Sequence, residues 1–163
     1  DGRGACRVAV QRGHRSGSRG PAGKYRRWRM TKRSLPVVLK AARACTVCAP
    51  HLPHGPRPVL TAGTGARVLI IGQAPGSKVH ASGIPWDDVS GRRLRAWLGV
   101  ESEVFYDPEH VSLLPMGFCF PGIGKSGDLP PRPECEPKWH PELLAAMPNI
   151  RLTLLLGMYA QGR

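Results

Sequence analysis

The sequence predicts an α/β fold carrying a mostly parallel sheet, and three features predict it. The run Ala66-Arg67-Val68-Leu69-Ile70-Ile71-Gly72 is short, almost wholly apolar and partly β-branched, the pattern of a strand covered on both faces. Two further apolar runs, His110 to Met116 and Ile150 to Leu156, read as a second and a third strand. Helical patterns fall between them, so the order is strand, helix, strand, helix, strand, which is that of layered α/β domains. In such open sheets ligands gather at the carboxyl ends of the strands, here Gly72 onward, Met116 onward and Gly157 onward.

A chain of 163 residues with a hydrophobic fraction of 41% suits one domain. Its net charge of +13 is uneven: residues 1–29 hold nine Lys or Arg against Asp1 alone, supplying +8 and leaving +5 for the remainder. Rich in Gly, Arg and Ser and without a hydrophobic period, residues 1–29 are expected to form a disordered basic extension. Met30-Thr31-Lys32-Arg33 looks like a natural start, with the domain occupying 30–163. The charge permits a nucleic-acid surface without requiring one. No apolar run reaches the ~18 residues of a membrane span and no signal-peptide core is present. The expectation is a soluble, cytoplasmic monomer with no membrane partner.

Ser34 precedes Pro36 and an apolar helical repeat, so a helix capped by Ser34 should run to about Cys45. Residues 49–65 hold four prolines and read as a connecting loop. Ser90 is placed to cap a helix from Gly91 to Leu98, with Leu94, Trp97 and Leu98 inward, Arg92, Arg93 and Arg95 outward, and Gly99 as the stop. A Gly/Pro loop from Gly117 to Pro137 leads to a short helix opened by Pro141, with Leu143, Leu144 and Met147 apolar. Gly157-Met158-Tyr159-Ala160 reads as the start of a last helix.

Two constellations carry chemistry. Gly72-Gln73-Ala74-Pro75-Gly76 forms a tight turn after the first strand, where a ligand can approach the backbone. Ser82-Gly83-Ile84-Pro85-Trp86-Asp87-Asp88-Val89-Ser90-Gly91 then sets an aromatic ring and two carboxylates before a helix. Plainer readings are a strand-exit turn, a core or interface Trp, and a solvated carboxylate favoured by the helix dipole. The second constellation is Cys45-Thr46-Val47-Cys48 with Cys119 and Cys135, a C-x2-C pair and a C-x15-C pair. It is open to an iron–sulfur cluster, a structural zinc or buried free thiols. Gly122-Ile123-Gly124-Lys125-Ser126-Gly127 is not a phosphate loop, because Cys119 stands where the Walker pattern needs Gly. Lys125, Arg132 and Lys138 either meet DNA phosphates or solvate their loop.

Taken together, Gly72-Gln73-Ala74-Pro75-Gly76, Gly83-Ile84-Pro85-Trp86 and Asp88-Val89-Ser90-Gly91 resemble the motifs of the family 4 and family 5 uracil-DNA glycosylases. Gln73 stands where family 4 has Glu, and Trp86 where it has a base-stacking Phe. The resemblance implies a three-layer α/β/α sandwich and hydrolysis of the N-glycosidic bond of uracil or a related deaminated base in DNA. It assigns Asp88 to the water, Trp86 to stacking, and Gly72, Gln73, Ala74, Pro75 and Gly76 to the base pocket. The cysteines match the family 4 order and spacing, which implies a 4Fe-4S cluster on Cys45, Cys48, Cys119 and Cys135, with zinc as the alternative.

Two departures stand out. Pro115 occupies the place of the uracil-reading Asn, so backbone groups around Met116 to Phe118 take over that contact or the base preference differs. The family's His-Pro-Ser type segment has no counterpart before Gln161-Gly162-Arg163, which implies a domain incomplete at its C-terminus, weak DNA binding, and excision that is poor or absent. The competing reading is a non-catalytic nucleic-acid-binding module holding zinc or a cluster.

Overall fold

The computed structural model describes residues 33–125 and 127–162. The expected basic extension, residues 1–29, lies outside the described residues.

Three parallel strands form the central sheet: β1 (Val68–Gly72) in the middle, β2 (Val111–Pro115) on one side and β5 (Leu152–Leu155) on the other. Val68 pairs with both Val111 and Leu152, and Gly72 pairs with Pro115, so the strands run level to their carboxyl ends. Side chains alternate across the sheet and separate its core into two. Leu69, Ile71 and Leu114 pack against α1 (Leu35–Arg43) and α5 (Cys135–Ala145), with α6 (Met158–Gln161) adding Ala160. Ile70, Leu113 and Leu154 pack on the opposite face against Leu94 of α3 (Val89–Leu98) and Phe105 of α4 (Ser102–Tyr106). The result is the three-layer α/β/α arrangement.

The sheet predicts its own sensitivity. Ile70 is fully buried, so Ile70→Val should cost about 1 kcal/mol for the lost methylene and the void it leaves. The denaturation midpoint would fall at an unchanged m-value.

The Pro-rich segment does more than connect. Thr61 N–H donates to Leu113 O at 3.1 Å, Leu113 N–H to Thr61 O at 2.8 Å, and Val59 N–H to Phe118 O at 2.7 Å. The two Thr61–Leu113 bonds occupy the outer edge of β2, which would otherwise present unpaired backbone, and the third holds the chain just past its end. Two short elements had no sequence signal: α2 (Ser77–Ser82), and a hairpin of β3 (Ile123–Gly124) and β4 (Gly127–Asp128) inside the Gly/Pro loop.

Four expectations about the helices need correction. Asp88, not Ser90, caps α3, its Oδ1 accepting from Gly91 N–H at 2.8 Å. Trp97 and Leu98 are exposed rather than inward (67% and 38%), and Arg95 packs inward instead. At about 100° per residue the inward stripe passes through Gly91, Leu94 and Arg95, which leaves Trp97 on its flank. Helix α5 begins at Cys135, six residues before Pro141, which lies inside it. Pro137 is tolerated there because the first-turn amides have no helical partner to lose. Ser34 occupies the cap position of α1 without a side-chain cap bond. Gly99, at φ +62°, ends α3 as expected. No helix among the described residues is long and apolar enough to cross a membrane.

A candidate active-site cleft and a cysteine pocket

At the carboxyl ends of the strands opens a cleft of about 520 Å3, within the range of small-molecule sites. Gly72, Gln73, Ala74, Pro75, Gly76, Trp86 and Asp88 all border it. The turn after β1 is pinned to the chain leaving β2: Met116 N–H donates to Gly72 O at 2.8 Å and Gly117 N–H to Gln73 O at 3.0 Å. Gln73 presents the cleft's one side-chain carboxamide among the described lining residues.

Trp86 is the one non-glycine residue at positive φ (+58°) among the described residues. Such a backbone costs of order 1–3 kcal/mol and persists only where its surroundings enforce it. Two glycines make room for it. A Cβ on Gly72 would sit 2.8 Å from Cζ2 of the Trp86 ring, and one on Gly91 would sit 1.7 Å from the Trp86 carbonyl oxygen. Gly72 therefore admits an indole ring rather than only a ligand. Two residues on, Asp88 spends Oδ1 on the α3 cap, and none of the described residues forms a hydrogen bond with its other oxygen. The carboxylate is thus fixed at one end, beside the cleft.

Of the backbone groups around Met116 to Phe118 that could stand in for the missing Asn, the three amides are already engaged. The Met116 and Gly117 amides are spent on the turn after β1, and Phe118 N–H donates to Cys135 Sγ at 3.3 Å. Pro115 borders the cleft, and its carbonyl accepts from His140 Nε2–H at 3.0 Å. His140 is buried and stacked on Phe118, with ring centroids 5.7 Å apart.

Burial holds the His140 pKa below the usual histidine value, against the opposing pull of the Pro115 carbonyl and Glu136. The unfolded chain then takes up a proton before the folded one as pH falls. His140 should lend full stability above the ordinary histidine pKa and lose it as pH drops from there toward the folded value. His140→Gln should flatten this part of the stability profile, measured by denaturation at a series of pH values.

Asp128, on β4, also borders the cleft. No motif marked it, because the hairpin that delivers it leaves no sequence pattern beyond glycines.

The four cysteines come to one place. Cys45 and Cys48, after α1, and Cys119 and Cys135, at the two ends of the Gly/Pro loop, line a single small pocket with Phe118 and Trp139. Burial pushes the Cys119 thiol up to about 11 and the Cys135 thiol up to about 12, with the neighbouring cysteines adding to each. Burial, then Glu134, raises Cys48 as well. Anionic sulfur is therefore disfavoured here until a cation offsets it, and loading one would release protons. No three His, Cys, Asp or Glu side chains among the described residues are placed to hold one metal ion.

Of the three cations expected on the loop, Arg132 is paired with Glu134 (2.6 Å) and Lys125 is exposed, while Lys138 lies in α5 with its ammonium over Trp139 (5.2 Å). Arg132 and Lys138 both border the cysteine pocket.

Residues 60–163 match the family model described as Uracil DNA glycosylase superfamily, a span that takes in the whole sheet, the cleft lining apart from Val59, and the second cysteine pair.

Proposed function

Because the chain belongs to the uracil DNA glycosylase superfamily, we propose that it excises uracil or a related deaminated base from DNA by hydrolysing the N-glycosidic bond. The observation that carries this reading is the meeting of Trp86, Asp88 and the Gly72–Gly76 turn at one cleft. A base taken out of the stack needs an aromatic face, polar groups for its edge, and negative charge near a developing cationic sugar. Trp86 supplies the face. With the amides of residues 116–118 already engaged, the Gln73 carboxamide supplies a donor and an acceptor for the base edge. The other oxygen of Asp88 orients water toward the anomeric carbon; the water oxygen bonds that carbon as its bond to the base nitrogen breaks, the water's proton passes to the departing base, and an abasic sugar remains. The test is chromatography of free bases released from oligonucleotides carrying uracil, hypoxanthine or xanthine. Release of at least one supports the reading, and release of none rejects it.

The closer relationship is to the iron–sulfur branch, with Cys45, Cys48, Cys119 and Cys135 holding a four-iron cluster. Four thiols around one pocket fit the donor set, as does the amide hydrogen bond to Cys135 sulfur. Tetrahedral zinc would need thiolates about 3.8 Å apart, from Zn–S bonds of ~2.3 Å. A cluster takes one thiolate per iron at wider spacing. Bound, the cluster would tie the chain after α1 to both ends of the Gly/Pro loop. Iron and sulfide analysis of the purified protein should find the cluster, and Cys135→Ser should lose both colour and thermal stability. Stoichiometric zinc in its place would contradict the assignment.

A further inference from the structure

We propose that Arg95 and Tyr106 are positioning residues that hold Trp86 in the wall of the cleft. The inference rests on the proposed role of that cleft and extends it to two residues that do not border it.

The strained backbone of Trp86 is anchored from behind. Tyr106 Oη–H donates to the Trp86 carbonyl at 3.3 Å, and Arg95 Nη1–H donates to Tyr106 Oη at 2.7 Å. Arg95 is itself held by two rings, its guanidinium carbon lying 5.5 Å from the centroid of Phe105 and 5.1 Å from that of Tyr106. Phe105 is wholly buried and meets Tyr106 edge-on at 5.1 Å. The chain of contacts therefore runs from the core of the α3–α4 face to the one non-glycine residue at positive φ among those described.

Chemistry favours this direction of support. A Tyr hydroxyl that accepts from Arg has its own proton to give, and the Trp86 carbonyl is what it faces. Burial raises the Tyr106 pKa, which keeps that proton in place. From the other side, Gly91 packs where any side chain would strike the same carbonyl. Trp86 thus has its carbonyl fixed by Tyr106 and Gly91 and its ring laid against Gly72. With these restraints gone, the peptide can relax from positive φ and swing the indole away from the turn.

The experiment uses Tyr106→Phe, which removes one hydroxyl, with Arg95→Met as a second variant acting at the other end of the same link. The free protein is read first, through the indole N–H resonances of its four tryptophans. Both variants should move the Trp86 resonance and leave those of Trp97 and Trp139 in place. Single-turnover excision is read second. Each variant should slow it roughly three- to tenfold with Trp86 present, as expected for one hydrogen bond. In a Trp86→Ala background the same substitutions should change it by less than about twofold. An unmoved Trp86 resonance in both variants, or equal rate losses in both backgrounds, overturns the proposal. If the resonance moves but the parent protein releases no base, Trp86 positioning stands and the catalytic reading fails.

Discussion

Asp88→Asn should slow base excision by about 10²- to 10⁴-fold, the range for losing a positioned general base or a charge that acts in the transition state. The substitution is clean because Asp88 has two separable jobs. Its Oδ1 caps α3, and Asn caps a helix as well as Asp does, so the melting temperature should barely change. Its charge faces the cleft, and only that is lost. DNA affinity should hold within a few fold, since the interaction strengthens mainly as the sugar becomes cationic. Asp88→Ala should add a stability loss of about 1 kcal/mol by removing the cap too. Single-turnover rates and equilibrium binding on the same uracil-containing oligonucleotide check the division. Equal rates for Asp88→Asn and the parent would mean that Asp88 serves the helix alone.

The largest structural effect is expected at Gly91. An alanine there puts its Cβ 1.7 Å from the Trp86 carbonyl oxygen and 2.9 Å from the Trp86 Cβ. The first of these is backbone, so no rotamer change relieves it. Either α3 moves off the sheet or Trp86 leaves its position. The cost should reach about 3 kcal/mol or more, the upper end for overpacking, and excision should fall with it. Gly99 provides the comparison: it has positive φ (+62°), but a Cβ there meets nothing within 4 Å. Gly99→Ala should therefore cost only about 1–2 kcal/mol of backbone strain and leave excision intact. Urea denaturation of the two variants measures the difference.

The sheet was legible because a doubly covered parallel strand needs little but apolar, β-branched residues, and Val68–Gly72, Val111–Pro115 and Leu152–Leu155 have them. Of the residues that line the cleft, Gly72 to Gly76, Trp86 and Asp88 were legible from the resemblance, whose motifs fall where strand ends place ligands. The helices were less so. In α3, Arg95 reads as a surface residue by charge, yet its guanidinium finds two rings supplied by α4, a partner eleven residues on that no local pattern reveals. Trp97 reads as core by hydrophobicity and lies outside. The start of α5 was hidden by Pro137 and Pro141, which mark a loop by propensity but sit where a helix can spare an amide or is held by packing of Trp139 and Leu143. Asp128 was invisible because its place depends on the pairing of β3 with β4, two strands of two residues each. The positive φ of Trp86 is set by contacts from three separate segments, so nothing next to it in the chain announces it.

The most direct test of the account uses one oligonucleotide with a single uracil and its thymine counterpart, each incubated with excess protein and then heated in alkali. Hypoxanthine and xanthine oligonucleotides run alongside. The account predicts strand cleavage at one or more of the three deaminated bases and none at thymine, even if slow, and its loss in Asp88→Asn at undiminished binding. No cleavage at any of the three, or cleavage that persists unchanged in Asp88→Asn, would contradict it.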